Sequence, residues 1–412
     1  MPRLIRSDQL AEVLPPGGLT LVSACSAESR LLADAVGQAG AAFGAMTFSG
    51  IFVGGLNQAA WHAGPDSRVL TFFQTPQLRA EGKRVEFLPL CYQDILAELV
   101  RRRPSAALLM CSPPDAQGNC SFGTDVAFIA ELWRQIPVRV AHINPAMPRT
   151  PGDPGIPYDE LTAIIEAEQP LLGMVSGGPD PAAEAIAQHI APHIPDGATL
   201  QTGLGKVPDA VMRALTGHRA LRLHTGLMGD GAMTLIESGA MAEGASATVG
   251  VAIGSLALYQ RLDNPHLQFR PVSVTHGAWR LAAIDRLVSI NSAIEVDLFG
   301  QAHAELTPKG LMSGPGGASD FARGARNGGL RIVALPASAG RDGAISRVVG
   351  PSEGAGPVSL GRMDIDLVVT EHGVADLRGL THHDRAERLI EIAAPTHRSA
   401  LADRWTDYAH RL

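Results

Sequence analysis

The stretch VEFLPLCYQDILAELVRRRPSAALLMC, Val85–Cys111, decides the fold class. Val85–Leu88 reads as a strand, and Gln93–Arg102 as a helix closed by basic residues and Pro104. Ala106–Cys111 is an apolar run of β character. Strand, helix and strand at this spacing predict an α/β fold with a largely parallel sheet. The same grammar extends outward. Asp125–Gln135 reads as a helix and Val138–Ile143 as a strand ending at Asn144-Pro145. Upstream, strands at Leu19–Ala24 and Thr47–Val53 flank a helix at Ser29–Gly40. A short helix over residues 7–14, capped by Ser7, is broken by Pro15-Pro16-Gly17-Gly18. The loops after Cys111 and Ile143 lie at carboxyl ends of strands, where such sheets take ligands.

A chain of 412 residues exceeds one core and predicts two domains or one elaborated domain. Residues 149–160 form an extended, Pro- and Gly-rich segment, and composition shifts again at Ser176-Gly177-Gly178-Pro179. The expected division is therefore 1–178 and 179–412. The second half restarts the alternation, with a helix at Pro181–His193, a strand at Ala198–Gln201 and a helix at Asp209–Thr216. Gly203-Leu204-Gly205 between them either presents N–H groups to an anion or is a plain tight turn. Further strands are expected at Leu221–His224, Ala247–Ile253, Phe269–Val274, Arg331–Leu335 and Leu367–Thr370, with a loop at Glu371–Gly379. Arg385–Ala393 reads as the terminal helix.

A net charge of −7 leaves no basic footprint, which argues against nucleic acid as a partner. No run of about 18 uncharged apolar residues is present, so no membrane span is expected. Met1–Arg6 lacks the apolar run of a signal peptide, and a cytoplasmic location is expected. Cys25, Cys91, Cys111 and Cys120 lack metal-ligand spacing and read as buried free thiols. His382-His383 are adjacent, so they do not form a helical i, i+4 ligand pair, and no metal set is visible.

Three features of the second half carry chemistry. Around Val288–Gln301, two β-rich segments, Leu287–Ile290 and Ala293–Phe299, meet at an Asn291-Ser292 corner. Glu295 stands in the second, beside Ile294 and Val296, so it is either an ion-pair partner or a functional carboxylate. Gly314-Pro315-Gly316-Gly317 is either a surface turn or a loop closely approached by a ligand. Thr370-Glu371-His372-Gly373 places a glycine amide at a strand end, as an oxyanion hole requires. A carboxylate attacking a thioester would need those parts together.

The string Ser289–Gln301 resembles the signature of the acetyl-CoA hydrolase/transferase family, which includes 4-hydroxybutyrate CoA-transferase-like enzymes. The resemblance runs through Ser112–Asp115, Val138–Thr150, Leu200–Gly205, Ser313–Ala325, Ile345–Val348 and Val369–Gly379. It implies two CoA-transferase-type α/β domains with the active site at their interface. It also implies a ping-pong CoA-transferase in which Glu295 forms a glutamyl-CoA thioester. By the same resemblance Gly373 is an oxyanion and CoA contact. The segment Val272, Ser273, Val274, Thr275 and His276 binds CoA, and the loop with Gly314, Gly316 and Gly317 borders it. Coenzyme A is then a substrate and no cofactor is permanently bound. The expected partners are acyl-CoA and small carboxylic acids, and a homodimer is expected. The alternatives are an acyl-CoA hydrolase on the same scaffold and a non-catalytic CoA-binding protein. The chain departs from common family residues at Gly226, Ala318 and Ala394, which bears on acyl specificity. Arg149 and His142 are either contacts for a second carboxylate or structural groups.

Overall fold

The computed structural model describes residues 1–175, 177–307 and 310–412. Ser176, first residue of the expected boundary stretch, lies outside the described residues. The chain forms two compact units, Met1–Val175 with Ala247–Gly277, and Ser176–Ser246 with Ala278–Leu412. A single cut after residue 178 does not capture this, because Ala247–Gly277 returns to the first unit. Val126 N–H donates to Gly250 O and Phe269 N–H to Pro151 O within it.

The first unit carries eight parallel strands. They are β1 Arg3–Leu4, β2 Leu19–Val22, β3 Thr47–Gly50, β4 Arg68–Thr71, β5 Val85–Phe87, β6 Ala106–Cys111, β7 Val138–Ile143 and β8 Ala163–Glu166. Their order across the sheet is β1-β8-β7-β6-β2-β3-β4-β5. Every residue of β6 is buried, as expected of a strand covered on both faces. Ser29 caps the helix Arg30–Ala39 by accepting from Leu32 N–H. The helix Tyr92–Arg102 ends in Arg101 and Arg102 with Arg103 left-handed at its cap. The β4 and β8 strands are too short and mixed to stand out in the sequence. At the amino terminus, Ser7 begins a 3-10 turn instead of capping it.

The second unit has β9 Thr199–Gln201, β10 Arg222–Met228, β11 Leu287–Ser292, β12 Glu295–Asp297, β13 Ala302–His303, β14 Leu330–Ala334, β15 Val348–Val349, β16 Leu367–Thr370 and β17 Gly373–Asp376. The main sheet runs β10-β9-β11-β14-β16-β17, parallel except for the β16–β17 hairpin. A small sheet pairs β12 antiparallel with β13 and parallel with β15.

Five expectations are corrected. Asn291 and Ser292 are not a corner: they continue β11, opposite Val333 and Ala334, and the chain turns at Ala293-Ile294. Residues 373–376 are a strand, because Gly373 folds them back onto β16. Phe269–Val274 is not one strand. A strand ends at Phe269, and after Pro271 the residues Val272–Thr275 form a helical turn. The helix of the Gly203–Gly205 turn starts at Lys206, and a further helix, Arg398–Ala409, follows the expected last one.

Candidate active site

Glu295 opens β12 and is only 6% exposed. Side chains alternate along a strand. Val296 and Leu298 therefore enter the apolar core, with Val368, Ala375, Leu377 and Ile392. Glu295 and Asp297 take the opposite face. His303 stands directly across the strand pair from Glu295 and shares that face. All three side chains are buried.

The Glu295 carboxylate is not abandoned in this setting. Its Oε2 accepts from Ala355 N–H at 2.8 Å. Asp297 accepts from Phe299 N–H, Gln301 N–H and the Gln301 side-chain amide at 3.0, 2.9 and 2.8 Å. His303 Nδ1 faces the carbonyls of Gly356 and Pro357 at 2.9 and 3.2 Å. Carbonyl oxygens only accept, so Nδ1 carries a proton and donates. His303 Nε2 lies 4.0 Å from Asp297 Oδ2, an ion-pair separation and not a hydrogen bond. The Asp297 carboxylate raises the imidazole pKa, against the opposing effect of burial.

The Thr370-Glu371-His372-Gly373 turn stands on the same core. Gly373 lies opposite Thr370 with φ +143°, a conformation that a side chain strains. Thr370 Oγ1 donates to Ile392 O and accepts from His372 N–H, which closes the turn. A hydrogen-bonded path joins this turn to the Glu295 strand. Ala337 N–H donates to Glu371 Oε2 at 2.8 Å, Arg347 N–H to Ala337 O, and Val296 N–H to Arg347 O. The Arg347 guanidinium then donates to Ile294 O at 2.8 Å. Glu295 is thus bracketed by residues 294 and 296, both tied through Arg347 to the glycine turn.

Gly314, Gly316 and Gly317 form the loop before the helix Ala318–Gly324, with Gly316 at φ +64°. Glu295, Gly373 and these glycines all belong to the second unit. Val272–His276 belongs to the first, where Val272, Thr275 and His276 are buried. Ser273 Oγ donates to Glu131, and the His276 ring stacks on Tyr92 at 4.3 Å.

Other candidates have structural occupations. Arg149 binds the Asp115 carboxylate and the carbonyls of Pro113 and Asn119. His142 is fully buried between Ser29 Oγ and Ala167 O. Cys25, Cys111 and Cys120 are buried, whereas Cys91 is partly exposed, a departure from the expected burial of all four. Ala355, His303 and Arg347 complete the surroundings of Glu295. Ala355 contributes a backbone amide, so no side-chain pattern announces it. Among the described residues no group of three or more His, Cys, Asp or Glu is placed to hold a metal ion. Among them, too, no helix is long and apolar enough to cross a membrane.

Comparison with known proteins identifies the family of the chain. Residues 254–405 match the acetyl-CoA hydrolase/transferase C-terminal domain. The 4-hydroxybutyrate coenzyme A transferase of Clostridium kluyveri is 34% identical over 85% of this chain and 80% of its own length. The succinyl-CoA:cyclohexane-1-carboxylate CoA transferase of Geobacter metallireducens is 36% identical over 77% of this chain and 75% of its own. An acetyl-CoA hydrolase of Kluyveromyces lactis is 27% identical over 65% of this chain and 54% of its own. The crystal structure of a 4-hydroxybutyrate CoA-transferase from Porphyromonas gingivalis superimposes with a TM-score of 0.79. It is 31% identical and covers 100% of this chain and 98% of its own. Both α/β units are thus of the type found in CoA-transferases.

Proposed function

Because this chain belongs to the acetyl-CoA hydrolase/transferase family and is a CoA-transferase, we propose that it moves CoA between an acyl-CoA and a carboxylic acid through a thioester on Glu295. Glu295 Oε1 attacks the acyl carbonyl, the C–S bond breaks, and CoA leaves as the thiolate. The thiolate then attacks Glu295 Cδ of the mixed anhydride. The first carboxylic acid departs as its anion, and glutamyl-CoA remains. A second carboxylate reverses the steps. Thiol and carboxylate exchange without a net proton, so no general base is needed.

The observation that carries the reading is the buried Glu295 carboxylate, held at one oxygen by Ala355 N–H and tied through Arg347, Ala337 and the Glu371 side chain to the Gly373 turn. One oxygen is fixed, so the other has a defined direction of attack. The Gly373 N–H is assigned as oxyanion donor for the acyl group. CoA contacts are assigned to Val272–His276 and to the loop of Gly314, Gly316 and Gly317. The enzyme is proposed to act in the cytoplasm as a homodimer.

Borohydride reduction after incubation with acyl-CoA alone, followed by mass spectrometry, tests the nucleophile. Reduction of a glutamyl thioester is expected at Glu295, and a modification elsewhere refutes the assignment. The hydrolase relative supports a second reading, in which water takes the intermediate. CoA release at full rate without any acceptor acid would decide for it.

A further inference from the structure

Residues 354–357 form a strap over the buried face of β12 and β13. Three of its backbone groups are committed within three residues. Ala355 N–H donates to Glu295 Oε2, and the carbonyls of Gly356 and Pro357 accept from His303 Nδ1. The imidazole lies so close beneath the strap that a Cβ on Gly354 would come within 2.3–2.7 Å of three of its ring atoms, closer than non-bonded contact allows. Glu295 and His303, paired across two strands, therefore grip adjacent residues of one segment.

The ends of the strap are held by other groups. Glu353 accepts from Gly350 N–H and from Arg404. Ser359 Oγ donates to Glu305 and accepts from Ala304 N–H. Loss of the imidazole therefore leaves both ends anchored and frees only the middle, where the Ala355 amide sits.

We propose that His303 is a positioning residue that aims the Ala355 N–H at Glu295 Oε2 throughout the reaction. This rests on Glu295 as the nucleophile. When the CoA thiolate attacks Cδ of the mixed anhydride, the new C–S bond places a full negative charge on Oε2. The tetrahedral carbon collapses by breaking its bond to Oε1, and the carboxylate leaves with that electron pair. Oε2 carries about half a charge in the resting carboxylate and a whole one in the intermediate. A donor fixed on it therefore stabilises the transition state more than the ground state. His303 supplies the fixing without touching the substrate.

The experiment compares full-length His303→Asn, His303→Gln and Glu295→Gln. The assay uses whichever of acetyl-, butyryl- and succinyl-CoA turns over fastest. The Asn amide nitrogen occupies the place of Nδ1, whereas the Gln amide reaches only the place of Nε2. The Asn variant is expected to keep kcat within about threefold of the parent. The Gln variant is expected to lose on the order of tenfold or more in kcat, since deleting an oxyanion donor outright costs about 10²–10³. The KM for acyl-CoA is expected to stay the same in both. A Gln variant as fast as the Asn variant, or a loss confined to KM, overturns the proposal. Should the Gln variant not fold, Gly354→Ala displaces the strap from the ring, and parental kcat in that variant overturns it equally. Full turnover by Glu295→Gln would sink the nucleophile itself. An inactive Glu295→Gln beside a fully active His303→Gln sinks only the role of His303.

Discussion

Shortening Glu295 by one methylene separates geometry from chemistry at the proposed nucleophile. Ala355 N–H lies 2.8 Å from Glu295 Oε2. Glu295→Asp withdraws the carboxylate by about 1.5 Å, one C–C bond, which stretches that contact beyond a hydrogen bond. The strand cannot follow, because Val296 is fully buried and its N–H is bonded to Arg347 O. A misplacement of about 1 Å costs roughly a hundredfold, so kcat is expected to fall by about 10²–10³, or 3–4 kcal/mol of barrier. Glu295→Gln is the complementary change. Its side-chain oxygen still accepts from Ala355 N–H, so stability should move by no more than about 1 kcal/mol. Transfer should nevertheless vanish, because an amide cannot form the anhydride. The assay is steady-state release of CoA with a panel of carboxylate acceptors, paired with urea unfolding of each variant. An Asp variant with parental kcat, or a Gln variant that transfers CoA, refutes the reasoning.

Other outcomes follow from buried charge and from thiol exposure. Asp125 is pushed up to about 7, chiefly by burial, against the opposing Ala24 and Ala127 backbone hydrogen bonds. The folded state therefore holds its proton more tightly than the unfolded one. Stability from this group is complete below about pH 4 and is lost as pH rises toward 7. Asp125→Asn should raise the unfolding free energy in urea more at pH 8 than at pH 5, by roughly 2–4 kcal/mol at pH 8, and a larger gain at pH 5 would contradict it. Asp366 takes two hydrogen bonds from the Arg331 side chain, at 2.6 and 2.9 Å, and one from its backbone N–H. Asp366→Ala leaves that partly buried guanidinium with only the Met363 carbonyl, and a loss of about 3 kcal/mol is expected in urea unfolding. A loss below about 1 kcal/mol would mean that Arg331 finds water. Burial raises the thiol pKa of Cys25 and Cys111 well above normal and takes Cys120 to about 11. Native protein should therefore show one fast thiol toward an aromatic disulfide reagent, mapped to Cys91, and fast labelling of Cys111 would refute the packing.

The amino-acid sequence by itself determined the α/β class and most of the strands that build it. A run such as Ala106–Cys111 is apolar at every position, and only a strand covered on both faces satisfies it. Helix ends were equally legible where the stop is chemical, as at Ser29 and at Arg101-Arg102 before Pro104. Glu295 and Gly373 stood out as candidates through their motifs. Tertiary structure alone decided what surrounds them. Asn291 and Ser292 look like turn formers, yet they complete a strand because β14 offers them paired backbone groups. Val272–Val274 has strand composition, yet it turns helical after Pro271, because local propensity yields to packing. The return of Ala247–Gly277 to the first unit is a long-range event that no local pattern encodes. The Ala355 amide reaches Glu295 across 60 residues of chain, and His303 pairs opposite it from eight residues away. Backbone amides are the same in every residue, so only the fold can select which of them meets the carboxylate.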